Sequence, residues 1–205
     1  MKPDYWDDAK EALGAVDPIL KQLIKTYPDE HLSSKRQLFR TLANAIVGQQ
    51  ISVAAAESIW KRFRTALGGR VTPPRILALD SQTMRACGLS GRKVEYLIGI
   101  AEKFSNEYKH LRWSRMTDAE IHQRLIALRG IGPWTVDMVM IFSFLRPDVL
   151  PLLDIGMVRS MEKHFNQGEA LTHQEMLTIA EPWKPYRTVA TWYLWRDIDP
   201  DPVAY

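Results

Sequence analysis

The sequence predicts an all-α fold. Three observations carry that prediction. Apolar residues recur at three- and four-residue spacing in almost every segment. No stretch keeps the two-residue alternation of a strand. Capping residues, glycines and prolines punctuate the chain at short intervals. There is no internal repeat, low-complexity block or long linker, so the helices are expected to be joined by short connections.

Taken in order, an amphipathic segment near Tyr5–Leu13 stops before Asp17-Pro18, where Asp caps and Pro opens a second helix over Pro18–Thr26. Pro28 closes it. Ser33 or Ser34 is expected to cap QLFRTLANAIVGQQ, in which Leu38, Leu42, Ile46 and Val47 share one face. Ser52 caps SVAAAESIWKRFRTAL, which ends at Gly68-Gly69. Thr72-Pro73-Pro74 opens a short helix, and Ser81 another that stops at Gly88. Gly88–Phe104 is amphipathic through Val94, Leu97, Ile98 and Ala101. Thr117-Asp118-Ala119-Glu120 is a capping box whose helix runs to Gly130. A helix follows from Pro133, Asp154 caps the next, and Thr172 to Glu175 form a second capping box. The last helix is expected from near Pro185 through Arg196, followed by a loose acidic tail, DIDPDPVAY.

Composition narrows the function. The 205 residues are 46% hydrophobic, enough for a sizeable core. The acidic start, MKPDYWDDAK, lacks an apolar signal region, and the most apolar run, Val136 to Leu145, is too short to span a bilayer. A lone cysteine, Cys87, excludes an internal disulfide, a four-cysteine zinc site and a cysteine-ligated iron–sulfur cluster. A reducing, cytoplasmic setting is therefore expected. Net charge is +3, but residues 31–115 carry +10, against −3 before them and −4 after. That asymmetry fits either a polyanion-facing surface or a solvated basic face.

Two motifs carry chemistry. Gly130-Ile131-Gly132 sits between two helices, with small residues where backbone N–H groups can approach a phosphate and an apolar residue to anchor the turn. The same pattern also serves ordinary tight turns. Downstream, Asp154 opens a helix after Val149-Leu150-Pro151-Leu152-Leu153. It reads as a plain N-cap or as a functional carboxylate in an apolar setting. Gly156 in the first turn costs roughly 1 kcal/mol relative to Ala, which hints at a close approach there. Trp134 follows the hairpin directly, and Trp183, Trp192 and Trp195 crowd the last helix; indole faces suit flat cationic ligands.

Four segments together resemble the helix–hairpin–helix–Gly/Pro-Asp DNA glycosylase superfamily, on its DNA-3-methyladenine glycosylase II branch. They are Leu42–Phe63, Gly88–Phe104, LRGIGPWTVDMVMIF with Leu150–Met161, and Glu181–Arg196. The resemblance implies a two-lobed all-α fold with an active-site cleft between the lobes. Residues 37–146 would form a helical barrel carrying the helix–hairpin–helix (126–140), and 1–36 with 147–205 the second lobe. No N-terminal α/β domain is expected.

The resemblance also implies roles. Asp154 would be the catalytic aspartate. Gly130, Ile131, Gly132 and Thr135 would contact the DNA backbone, with Gln50 as the wedge that fills the gap left by a flipped nucleotide. Trp134 and Trp195 would be pocket walls, Gln49 a polar group at its mouth, and Met138 and Ile155 would lie beside it. Arg129 stands where many relatives have Pro, and Leu153 where many have a second Asp. Trp134 stands where bifunctional relatives carry a nucleophilic Lys, which argues against strand cleavage. The implied activity is release of alkylated purines, such as 3-methyladenine and 7-methylguanine, from duplex DNA by a monomer. No cofactor is required, although hairpin carbonyls would take a monovalent cation. A non-catalytic hairpin DNA-binding protein, or a glycosylase for an uncharged base such as hypoxanthine or uracil, are the competing readings.

Overall fold

The computed structural model describes residues 2–33 and 37–198. Among them are twelve α-helices, two 3-10 turns and no strand. In chain order the helices are α1 (Trp6–Val16), α2 (Pro18–Thr26), α3 (Leu38–Gly48), α4 (Val53–Ala66), α5 (Pro73–Ala78), α6 (Ser81–Ala86), α7 (Gly91–Ser105), α8 (Asp118–Ile126), α9 (Pro133–Phe142), α10 (Ile155–Phe165), α11 (His173–Ile179) and α12 (Arg187–Ile198).

Most starts are set by a side chain that accepts from an otherwise unpaired first-turn N–H. Asp17 opens α2, Ser52 α4, Ser90 α7 and Asp154 α10 in this way. Both expected capping boxes form, at Thr117 with Glu120 and at Thr172 with Glu175.

Some local expectations shift. α3 begins at Leu38 after Gln37, with no side-chain cap, so Ser33 does not cap it; Ser34 lies outside the described residues. The cap of α6 is Asp80, whose Oδ1 accepts from Thr83 N at 2.8 Å, and Ser81 is its first helical residue. On α7 the buried face is completed by Ile100 rather than Ile98. α12 starts at Arg187, and Asp197 and Ile198 continue it instead of opening a loose tail; residues 199–205 lie outside the description.

The chain folds as two compact units, Gln37–Val139, and Met1–Arg36 with Met140–Tyr205. The division falls at Val139/Met140, inside α9. In the first unit α7 packs on α5 and α3, burying Leu42, Ile46, Phe63, Ile76 and Leu97. In the second, α12 packs on α10 and α2, and α1 lies against α2. Trp6 meets Trp192 edge-on at 5.3 Å, and Trp183 Nε1 donates to Asp17 Oδ2 at 2.9 Å. Each fully buried large side chain contributes roughly 1.5–3 kcal/mol. Most of the tryptophans that crowd the C-terminal region, Trp183 and Trp192 included, are therefore core.

Candidate active site

The first functional element is the turn between α8 and α9. Ile131 is 6% exposed and Leu128 4%, so the turn is pinned by two apolar side chains. The N–H of Ile131 donates to Leu128 O at 3.0 Å, which closes it. Gly130 has φ +90°, a conformation that side chains resist, and a Cβ there would come 2.4 Å from the Tyr96 ring of α7. Tyr96 also lies under Arg129, 5.7 Å from the ring centroid, so the residue standing where Pro is common packs on the same aromatic support. Gly132 differs. A Cβ on it would meet no protein atom within 4 Å, so the space beside it is open to an incoming group. Among the described residues the amides of Gly130 and Gly132 donate to no carbonyl. Two free N–H groups next to a helix N-terminus suit an anionic oxygen.

Gln49, at the end of α3, joins this element. Its Nε2 donates to Gly130 O at 2.8 Å, tying the α3–α4 connection to the hairpin. Gln50 follows with φ +58° and is exposed. A non-glycine residue held there is strained, and such strain clusters where a side chain must be aimed.

The second element is built around Asp154. The 143–154 connection is fastened to the start of α12 by Arg187, whose Nε and Nη2 meet Asp148 Oδ1 and Oδ2 at 2.6 and 2.8 Å. Thr188 Oγ1 accepts from Val149 N at 2.9 Å and donates to Arg146 O at 2.6 Å. Two turns further along α12, Trp195 Nε1 donates to Asp154 Oδ1 at 2.7 Å, and Met157 N donates to the same oxygen at 2.9 Å. Trp195 stacks on Phe142, with centroids 5.7 Å apart and planes at 8°. The glycine in this first turn has a physical cause. A Cβ on Gly156 would sit 3.2 Å from Asp154 Oδ1 and 3.4 Å from Trp195 Cδ1.

The residues expected from sequence therefore have distinct placements. Gly130, Ile131, Gly132, Gln49 and Gln50 gather around the hairpin, and Trp134 is half-buried in the first turn of α9. Thr135, at 3% exposure, and Met138, at 2%, point inward. Both belong to a helix that is apolar on most of its circumference. Ile155 is 67% exposed at the start of α10. Trp195 holds the Asp154 carboxylate through its N–H. Sequence reasoning missed Tyr96, Phe142 and the Arg187–Asp148 clamp. It also passed over Asp137, whose carboxyl is pushed up to about 6 by burial. A carboxylate in an otherwise apolar helix was its available signal.

Open amides at a helix–hairpin–helix suit a DNA phosphate, and a capping aspartate held by an indole suits a developing positive charge. Residues 43–185 match the HhH-GPD superfamily of base excision DNA repair proteins, and the chain belongs to that family. It is 33% identical to DNA-3-methyladenine glycosylase 1 of Schizosaccharomyces pombe over 90% of this chain and 84% of that one. Among solved structures, a DNA-3-methyladenine glycosidase from Bacillus halodurans superposes with TM-score 0.81 at 31% identity, covering 92% of this chain and 88% of that one. The Schizosaccharomyces pombe 3-methyladenine DNA glycosylase in complex with abasic DNA gives 0.79 at 32% identity, over 92% and 95%.

Proposed function

We propose that the protein is a monofunctional DNA glycosylase of base excision repair, which flips alkylated purines such as 3-methyladenine and 7-methylguanine from duplex DNA and releases them by hydrolysis. The observation that carries this reading is Asp154, fixed through Oδ1 by Trp195 Nε1–H and Met157 N–H. A plain N-cap needs only the second of these. Relatives named as 3-methyladenine glycosylases, one of them solved on abasic DNA, support the substrate class.

A purine methylated at N3 or N7 is already cationic, so its bond to C1′ is weak and no acid is needed. The C–N bond breaks, its electron pair leaves with the base, and the sugar becomes an oxocarbenium ion. The Asp154 carboxylate stabilises that cation, and water then adds to C1′ and loses a proton. Trp134 offers a face for the extracted base, where a desolvated cation–π contact is about 2 kcal/mol or more. With an indole at this position there is no amine to form a Schiff base, so the strand stays intact. The hairpin amides hold the backbone without reading sequence.

The carbonyls of Leu128, Gly130 and Gly132 each already accept one hydrogen bond. A monovalent cation would use their second lone pairs, an arrangement that fits weak alkali-ion binding, and it would supply positive charge beside the phosphate. The protein would act as a monomer on duplex DNA in the cytoplasm, as the lone cysteine and the DNA-repair relatives suggest.

The test incubates the protein with methylated duplex DNA and identifies the free bases. Release of 3-methyladenine and 7-methylguanine, with strands that break only after alkali, is expected. Tight binding without any released base would leave a non-catalytic hairpin protein. Release confined to uncharged bases would overturn the substrate class.

A further inference from the structure

α9 is closed along nearly its whole length. From Thr135 to Phe142 every residue except Asp137 is at most 9% exposed. Trp134 and Asp137 are its two half-open positions past Pro133, and their three-residue spacing places them on one face, a turn apart. Asp137 caps no helix. Among the described residues its carboxylate has neither a hydrogen bond nor an ion pair. Burial raises its pKa to about 6, which still leaves it ionised at neutral pH. An unpaired, half-buried anion is a standing cost to the fold, and nothing among the described residues repays it.

We propose that Asp137 is a specificity-determining residue, whose carboxylate draws a cationic purine onto the face of Trp134. The inference rests on the glycosylase reading and deepens it. An indole alone favours any flat base, with a bonus for charge. An indole with an uncompensated carboxylate one turn away favours a flat cation much more strongly, because the Coulomb attraction acts in a poorly hydrated place. A neutral purine gains only the stacking, so undamaged bases are passed over. An apolar residue at 137 would suit the fold better and lose this selection.

The experiment measures single-turnover release of 7-methylguanine from duplex DNA by the wild type, Asp137→Asn and Asp137→Glu, with affinity for abasic-site DNA and thermal melting alongside. Asp137→Asn should slow release about tenfold or more. It should bind abasic DNA within about twofold of wild type and melt no lower. Asp137→Glu, which keeps the charge, should recover most of the rate. Wild-type release in Asp137→Asn, equal losses in both variants, or a lowered melting temperature would each overturn the proposal. Should the wild type release neither 7-methylguanine nor 3-methyladenine, the glycosylase reading itself fails and takes this inference with it. A releasing wild type with an unaffected Asp137→Asn refutes the inference alone.

Discussion

The indole N–H of Trp195 and the carboxylate of Asp154 meet at 2.7 Å, 41 positions apart in sequence. The same unit contains a second Asp–Trp pair, Asp17 with Trp183, and the two differ in a telling way. Asp17 divides its oxygens, Oδ1 taking the N–H groups of Ile19 and Leu20 and Oδ2 taking Trp183. It is 8% exposed, the behaviour of a structural hub. Asp154 receives both Met157 N and Trp195 Nε1 on Oδ1 and is half-buried. A charge-assisted pair of bonds on one oxygen sets the plane and tilt of the carboxylate. A group that stabilises charge on a sugar needs that fixed aim, because its field must be in place before the bond breaks.

Replacing Trp195 with Phe keeps a ring for Phe142 to stack on and removes only the donor. A hydrogen bond to a charged group is typically about 1.5–3 kcal/mol, which corresponds to roughly a tenfold to hundredfold loss of rate if the aim of Asp154 is what matters. The loss should fall on kcat, with KM and abasic-DNA affinity unchanged. An equal rise in KM would return Trp195 to a simple pocket wall.

Asp154→Asn separates chemistry from capping. Asn is among the best N-caps, and its amide oxygen can still accept from Met157 and Trp195, so α10 should keep its start. Thermal stability is expected to change by less than about 1 kcal/mol. Base release should fall by at least about a thousandfold, since the anion opposite the developing cation is gone. Single-turnover assays beside melting curves check both, and a variant that melts early while retaining activity would reduce Asp154 to a cap.

Much of this was legible in the chain. The capping boxes and the Asp17-Pro18 start were read correctly because their chemistry is local: a side chain answers a backbone amide two or three residues away. The role of Gly156 was only half legible. Its first-turn position signalled a close approach, but the approaching group, the Trp195 ring, comes from a helix 39 residues later. Likewise, nothing local says that Tyr96 backs Gly130 or that Gln49 reaches its carbonyl. The burial of Thr135 and Met138 was not legible either, because α9 is apolar nearly all round and its periodicity could not say which side faces out.

The two hairpin glycines should respond differently to alanine. At Gly130 the new methyl would need φ +90° and would sit 2.4 Å from Tyr96, so overpacking and backbone strain together should cost about 1–3 kcal/mol in melting experiments. At Gly132 the methyl meets no protein atom within 4 Å, and stability should be nearly unchanged. DNA affinity should nevertheless fall, because the methyl occupies the space a phosphate would take. Binding titrations at several salt concentrations test this. Undiminished affinity in Gly132→Ala would take the phosphate away from the hairpin.

Asp137 gives a pH signature opposite in sign to that of an ordinary paired carboxylate. Its folded pKa is raised from 3.8 to about 6 by burial. Between those values the native state binds a proton that the unfolded state does not, so this group's contribution to stability rises as pH falls from about 6 toward 4. Above that window the buried charge carries its full penalty. Asp137→Asn removes the penalty and should stabilise the protein at pH 7.5 by roughly 1–2 kcal/mol, after allowance for solvent screening at a half-exposed group. The gain should vanish near pH 4, where wild-type and variant side chains are both neutral. Other carboxylates, such as Asp80 and Glu175, have lowered pKa values and weaken the fold on acidification. Only the difference between the two melting curves isolates Asp137. A variant stabilised at neutral pH yet slow on 7-methylguanine would mark this carboxylate as kept for the substrate and against the fold.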